Sequence, residues 1–336
     1  MLQVNIHGPD DVRLDPASEA RAGEDDIVVR TAACGICGSD IGYVEMGGIP
    51  VGNTGVMPLG HEFSGTVMEV GGRVQGIRPG LRIVVDPMIT DNLGNGGPQG
   101  AFTPQLLVRN ARLGVNVHEI PQSMSFERGA LVEPLSVAMH AVNIGRATPA
   151  DKVVIFGAGC IGLGAIVALR HRGVRDIAVV DLSEERLRRA TELGAELCIN
   201  GGRENLFERL AGTHGSAELY GMPTVGSTLF IDAAGVTSVF EEIVRIAPVE
   251  ARVVVVGLHK KPAALDLQLV LMKELAIKGS IGYPQEFPAV IEMLSDPAID
   301  IDPIISHRFP LSQFMTALDT ARDPARSAKV MVTFDE

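Results

Sequence analysis

The sequence predicts two domains of different class: an antiparallel β domain, then a doubly wound α/β domain with a parallel sheet. Three observations predict this. The chain has 336 residues, more than one hydrophobic core commonly organises. Residues 1–120 carry short apolar runs separated by Gly and Pro turns, the pattern of antiparallel β structure. From about residue 151 the rhythm changes to apolar strands alternating with helical segments, as a parallel sheet covered on both faces requires.

In the first part the strand candidates are 26–30, 66–70 and 81–85, set off by Gly71-Gly72, Pro79-Gly80 and the glycine-rich run at 94–98. In the second part, 152–156 reads as a strand, 161–171 as an apolar helix and 177–180 as the next strand. Residues 184–193 read as an amphipathic helix with Ser183 as N-cap and Gly194 just past its end. Segments 229–232, 253–256 and 275–278 are further strands. Residues 284–336 return to mixed character, so they are expected to rejoin the first domain.

Composition narrows the function classes. The charge of −12 gives a surface that repels phosphate backbones, so no nucleic-acid partner is expected. With no Trp and three Tyr, stacking platforms for bases are not expected either. No apolar run approaches 18 residues, so no membrane span is expected, and residues 1–5 lack the features of a signal peptide. Four cysteines in a chain this long fit a reducing cytoplasm rather than a disulfide scaffold.

Two motifs carry chemistry. Gly157-Ala158-Gly159-Cys160-Ile161-Gly162 follows one strand directly and opens a helix. Gly157 permits the tight turn, Gly159 lets the backbone approach a pyrophosphate, and Gly162 lets helix and strand pack closely. The helix N-terminus, at Cys160 and Ile161, offers free N–H groups and partial positive charge to the phosphates. Asp181 ends the next strand, where a carboxylate accepts from both hydroxyls of an adenosine ribose and repels a 2′-phosphate. The cofactor expected is therefore NAD rather than NADP. Arg186 lies nearby, one helical turn in, as a cofactor contact or a surface charge. The second motif joins Cys34-Gly35-Ile36-Cys37-Gly38-Ser39-Asp40, Gly60-His61-Glu62 and Glu133. A catalytic zinc takes about three protein ligands and keeps one open position, which Cys, His and Glu can supply. A redox Cys34/Cys37 pair is the competing reading. A four-cysteine site is implausible because it would consume Cys160 of the phosphate loop. Spacing alone leaves the zinc and redox readings open.

The runs C-G-I-C-G-S-D, G-H-E-F-S-G, L-V-E-P-L-S-V and G-A-G-C-I-G together resemble the zinc-dependent medium-chain alcohol dehydrogenases, in particular their sorbitol, butanediol and threonine dehydrogenase branch. The resemblance spans essentially the whole chain. It implies a GroES-like catalytic domain from 1–142 and 284–336, a Rossmann domain from 143–283, and an active site between them. It implies one catalytic zinc on Cys37, His61 and Glu62, with Glu133 approaching the metal directly or through water. Asp40 would orient the histidine and Ser39 would take the substrate proton, while Cys34 matches no ligand and is expected as a buried strand-end thiol. Tyr43 and Tyr283 would line the substrate pocket, and His140 and His307 are expected to be structural.

The departures matter as much. Residues 86–100 hold no cysteine, so the structural zinc of many relatives is expected to be absent and its lobe shortened. Gly42 stands where several relatives place a proton-relaying histidine, so water or the cofactor ribose must extend the path from Ser39. Gly282 replaces an arginine that helps bind polyols, which favours a smaller secondary alcohol or a vicinal diol. The implied reaction is hydride transfer from such an alcohol to NAD, giving a ketone. The rivals are a metal-independent NADPH quinone or enone reductase and an L-threonine 3-dehydrogenase-like activity. A small-molecule substrate and a homodimer or homotetramer complete the expectation.

Overall fold

The computed structural model describes residues 1–49 and 55–334. Within them, a seven-stranded sheet is built around Ile27–Ile36, a strand buried along nearly its whole length. Glu62–Val70 pairs with it antiparallel, then Arg82–Val85 and Val117–Glu119 follow, while Gln105–Val108 joins its opening half. On the other side Lys329–Thr333 pairs antiparallel with residues 33–36, and Ile305–Pro310 lies beyond it. Residues far along the chain thus return to the first sheet. The last pair runs parallel, the one departure in this sheet from the antiparallel expectation.

The second large sheet has six strands, all parallel: Leu197–Asn200, Ile177–Asp181, Val153–Phe156, Leu229–Asp232, Arg252–Val255 and Ala276–Gly279 in spatial order. The chain order along this sheet reverses beside Val153–Phe156, the switch point at which such sheets bind dinucleotides. Alternate residues serve opposite faces. Val153 and Ile155 join the core containing Ile177, Ile231 and the helix Cys160–His171. Val154 and Phe156 join that of Val180, Phe230 and the helix Thr237–Ile246. Both faces being buried explains why these strands read as continuous apolar runs.

Ser183 caps the helix Glu184–Glu192 by accepting from Arg186 N–H, as its place in the sequence predicts. The helix Val132–Ile144 packs on Cys160–His171, with Gly164 leaving room for Ala138 and Leu135. That packing carries Glu133, in the helix's first turn, into the cleft between the sheets. Among the elements without a counterpart in the sequence reading is a hairpin of Ser216–Leu219 and Met222–Val225, turned through Tyr220 (φ 49°) and Gly221 (φ 81°). Both turn residues adopt the positive φ of a tight hairpin turn, but Tyr-Gly lacks the Asn-Gly or Asp-Gly signature. No helix among the described residues is long and apolar enough to cross a membrane.

Candidate active site

Two strand ends meet in the cleft. Ile27–Ile36 runs into Cys37, which is the N-cap of the helix Gly38–Met46. Asp40, at the third helical position, accepts a 2.9 Å hydrogen bond from Cys37 N–H and so fixes the turn bearing the thiol. Its other oxygen stands 3.4 Å from His61 Nδ1. His61 precedes Glu62–Val70, entered through Gly60 at φ +97°, where a side chain would strike Phe102. Register then sets Glu62 opposite Gly35, whose missing side chain leaves space for the carboxylate.

The ligand atoms of Cys37, His61 and Glu62 lie within 4.8 Å of one another, with His61 and Glu62 3% and 1% exposed. A thiol, an imidazole and a carboxylate are a donor set that zinc accepts. Because Nδ1 is turned to Asp40, the other ring nitrogen is left for the cluster. Burial works against a charge on His61, but Asp40 and Cys37 push its pKa well above the ordinary range. That field would equally hold a cation in place of the proton. Cys34 lies wholly in the apolar core of the first sheet, its thiol pushed well up by burial, and all four cysteines are free. The structure therefore separates Cys34 from the cluster that contains Cys37.

Sequence reasoning missed Lys329. Its ammonium donates to both oxygens of Glu62, at 2.7 and 2.5 Å, and to Ile36 O at 2.9 Å. Lys329 and Glu62 side chains are 3% and 1% exposed. Burial opposes the lysine's charge, yet Cys160 and Glu62 beside it raise its pKa overall. Glu133 stands outside the three-residue cluster. Burial pushes its carboxyl up to about 7, and it feels both His61 and Glu62. Tyr283, 3% exposed, turns its hydroxyl toward the Glu133 carboxyl, and burial together with that carboxyl pushes the phenol well up.

Ser39 and Tyr43 lie one turn apart on the helix that follows Cys37, so they share a face. Tyr43 Oη donates to Asn95 Oδ1 at 3.1 Å, a partner that sequence reasoning also missed. Gly42 has open space where a side chain would start. Gly282 has φ +63°, and a Cβ there would sit 2.7 Å from Met88 Sδ, so a larger residue would be strained and would require the exposed Met88 side chain to move. His140 binds Glu286 at 2.8 Å, and His307 stacks on Phe309 within its strand, both away from the metal cluster.

A cavity of about 640 Å³ lies beside the switch point, lined by Gly157, Gly159, Asp181, Arg186, Ala233 and Ala325 among others. Gly157 has φ +95°, a Cβ on Gly162 would collide with Gly157 O, and one on Gly159 would meet only Arg186 Nη1 at 3.9 Å. The three glycines thus divide turn, open space and close packing as their motif requires. Cys160 and Ile161 form the first turn of the helix behind that space. Asp181 accepts from Ala158 N–H (2.7 Å) and Ser183 N–H (2.8 Å), which fixes its carboxylate at the cavity wall. Arg186 is not a solvated charge: its Nε donates to Ser327 O at 2.7 Å, linking this cavity to the C-terminal segment that returns to the first sheet.

Fold and site together define the class of a dinucleotide-dependent oxidoreductase carrying a Cys-His-Glu cluster that could hold a metal ion. The family model of the alcohol dehydrogenase GroES-like domain matches residues 23–115, and that of the zinc-binding dehydrogenases matches residues 160–296. Sorbitol dehydrogenase of Macaca fascicularis is 31% identical over 99% of this chain and 96% of its own. (R,R)-Butanediol dehydrogenase of Bacillus subtilis is 30% identical over 94% of each. The crystal structure of 2R,3R-butanediol dehydrogenase from Bacillus subtilis superposes with a TM-score of 0.87 at 28% identity, covering 99% of both chains. The chain belongs to the zinc-binding alcohol dehydrogenase family, and it is a dehydrogenase.

Proposed function

We propose that the protein oxidises a secondary alcohol within a small diol or polyol to the ketone, with NAD as hydride acceptor. The observation that carries this reading is the convergence of Cys37, His61 and Glu62, with Cys160 of the glycine loop close enough to feel Cys37 and Glu62. A zinc ion held by Cys37, His61 and Glu62 would supply Lewis acidity that lowers the pKa of the alcohol. Glu133 faces the centre from the opposite helix, where it can bind the metal or a water on it. Ser39 accepts the hydroxyl proton, Asp40 holds His61 in orientation, and Tyr43 and Tyr283 border the substrate.

Asp181 holds the adenosine ribose through both hydroxyls and excludes a 2′-phosphate, while the N–H groups at Cys160 and Ile161, together with Arg186, meet the pyrophosphate. Gly282 offers no side-chain donor to a polyol chain, which supports a short diol over a long polyol. The catalytic unit is read as 1–142 with 284–336 and the cofactor unit as 143–283. Four free cysteines support a cytoplasmic setting. The open edge at Ala276–Gly279, flanked by the exposed Leu258, Leu267 and Leu271, supports a homodimer or homotetramer.

The test combines elemental analysis with a panel of secondary alcohols, vicinal diols, polyols and L-threonine, each with NAD and with NADP, followed by nicotinamide absorbance. One zinc per chain and NAD-dependent turnover of a diol are expected. Protein that binds no zinc, or that reduces quinones with NADPH instead, would overturn the reading.

A further inference from the structure

The cysteine-free loop at 87–99 is folded onto the metal site. Gly94 lies so close to Gly60 O that a Cβ would stand 2.1 Å from it, directly beside His61. Gly94 N–H donates to Gln99 O at 2.7 Å and Gly97 N–H to Asn92 O at 3.1 Å, so the loop is closed on itself. Asn95 sits at its centre. Its Nδ2 points to Leu93 O at 3.4 Å, which assigns the amide orientation, and its Oδ1 receives the Tyr43 proton.

A phenol has one proton and can donate only once. With that proton given to Asn95, the Tyr43 oxygen presents only lone pairs to the cleft. Ser39, on the same helix face, is close enough to donate to one of those lone pairs, leaving the other for a substrate, and the charges of Cys37, Asp40 and His61 also reach the phenol. We propose that Asn95 is a specificity-positioning residue: by taking the Tyr43 proton it turns the phenol into an acceptor, and so selects substrates whose neighbouring hydroxyl can donate. The proposal rests on the alcohol dehydrogenase reading and adds a chemical rule to it. A vicinal diol satisfies the acceptor. The same alcohol with its second oxygen methylated sets lone pair against lone pair, which costs roughly one hydrogen bond.

The experiment compares butane-2,3-diol with 3-methoxybutan-2-ol in the zinc-loaded enzyme. The wild type is expected to favour the diol in kcat/KM by about tenfold. In Asn95→Leu the phenol is free to rotate and donate, so the preference should collapse to near unity. Asn95→Asp retains an acceptor oxygen and should keep it. On a Tyr43→Phe background, Asn95→Leu should change nothing further. A second readout needs no turnover. The chain has no Trp and three Tyr, so ultraviolet emission reports tyrosine alone, and Asn95→Leu should alter the component that Tyr43→Phe removes. Zinc content should be unchanged throughout. Diol oxidation whose preference survives Asn95→Leu, or a Tyr43 emission indifferent to Asn95, would overturn the proposal and leave the dehydrogenase reading standing. Absence of any NAD-dependent alcohol oxidation by the zinc-loaded wild type would overturn that reading and the proposal with it.

Discussion

Replacing Lys329 by Met should expose how the metal centre is balanced. In the metal-free protein Lys329 is the cation bound to Glu62, with contacts of 2.5 and 2.7 Å and almost no solvent at either side chain. Methionine keeps most of the stem's volume but leaves the carboxylate buried without its counter-charge and Ile36 O without its donor. Removing one partner of such a pair costs about 3–5 kcal/mol. For a unit of this size, 1 kcal/mol moves Tm by about 2–4 °C, so a fall of roughly 6–20 °C is expected. Scanning calorimetry on chelator-treated protein measures it. Zinc should restore part of the loss, because Glu62 then faces a cation again. Adding Glu62→Leu should also restore part of it, because the unpaired charge is gone. If Lys329→Met melts within about 2 °C of the wild type, or Glu62→Leu adds its own full penalty, the pair does not carry the balance described.

Three further outcomes follow from the same geometry. Asp181→Ala should weaken NAD by about 1–3 kcal/mol and favour NADP relatively, since ribose hydrogen bonds and the repulsion of a 2′-phosphate are lost together; titration calorimetry with both dinucleotides decides, and equal constants before and after would make Asp181 a bystander. Ser39→Ala should keep one zinc per chain while turnover falls by about 10²–10⁴-fold at neutral pH, with the loss shrinking in alkali where hydroxide can take the proton; full neutral activity would show that water takes that proton without Ser39. In metal-free protein, the Glu133 carboxyl keeps its proton up to about 7 when folded but loses it near 4.5 when unfolded. The folded state therefore binds more protons across that interval, and stability should fall as pH rises through it. Denaturant melts across the range should show this slope, and its persistence in Glu133→Gln would assign it elsewhere.

The parts of this molecule legible in the sequence are those whose causes are local. The run 157–162 declares turn, gap and packing within six residues, and Ser183 announces its helix because a cap acts three residues ahead. Cys37 and Asp40 are three apart, so a single helix start places both. Lys329 reads as an ordinary strand-end lysine, because its partner lies 267 residues away and only the sheet pairing brings them together. Asn95 is hidden for the same reason: its meaning depends on a tyrosine 52 residues earlier and on a loop whose own sequence suggests only turns. Arg186 is ambiguous in the sequence because the carbonyl of Ser327, which holds it, arrives from the far segment. The hairpin at 216–225 is not legible in the sequence because Tyr220 takes a positive-φ conformation that its side chain does not advertise.

The return of Lys329–Thr333 to the first sheet sets an order on biosynthesis. A ribosome delivers Cys37, His61 and Glu62 early, but the strand that closes their sheet, and the ammonium that neutralises Glu62, emerge only after the entire parallel sheet has been made. The nucleotide unit can complete itself while the first unit waits with an open edge and an unpaired carboxylate. A nascent chain released after the strand Ala276–Gly279 but before residue 329 therefore carries a finished parallel sheet attached to a first sheet that still lacks its closing strand.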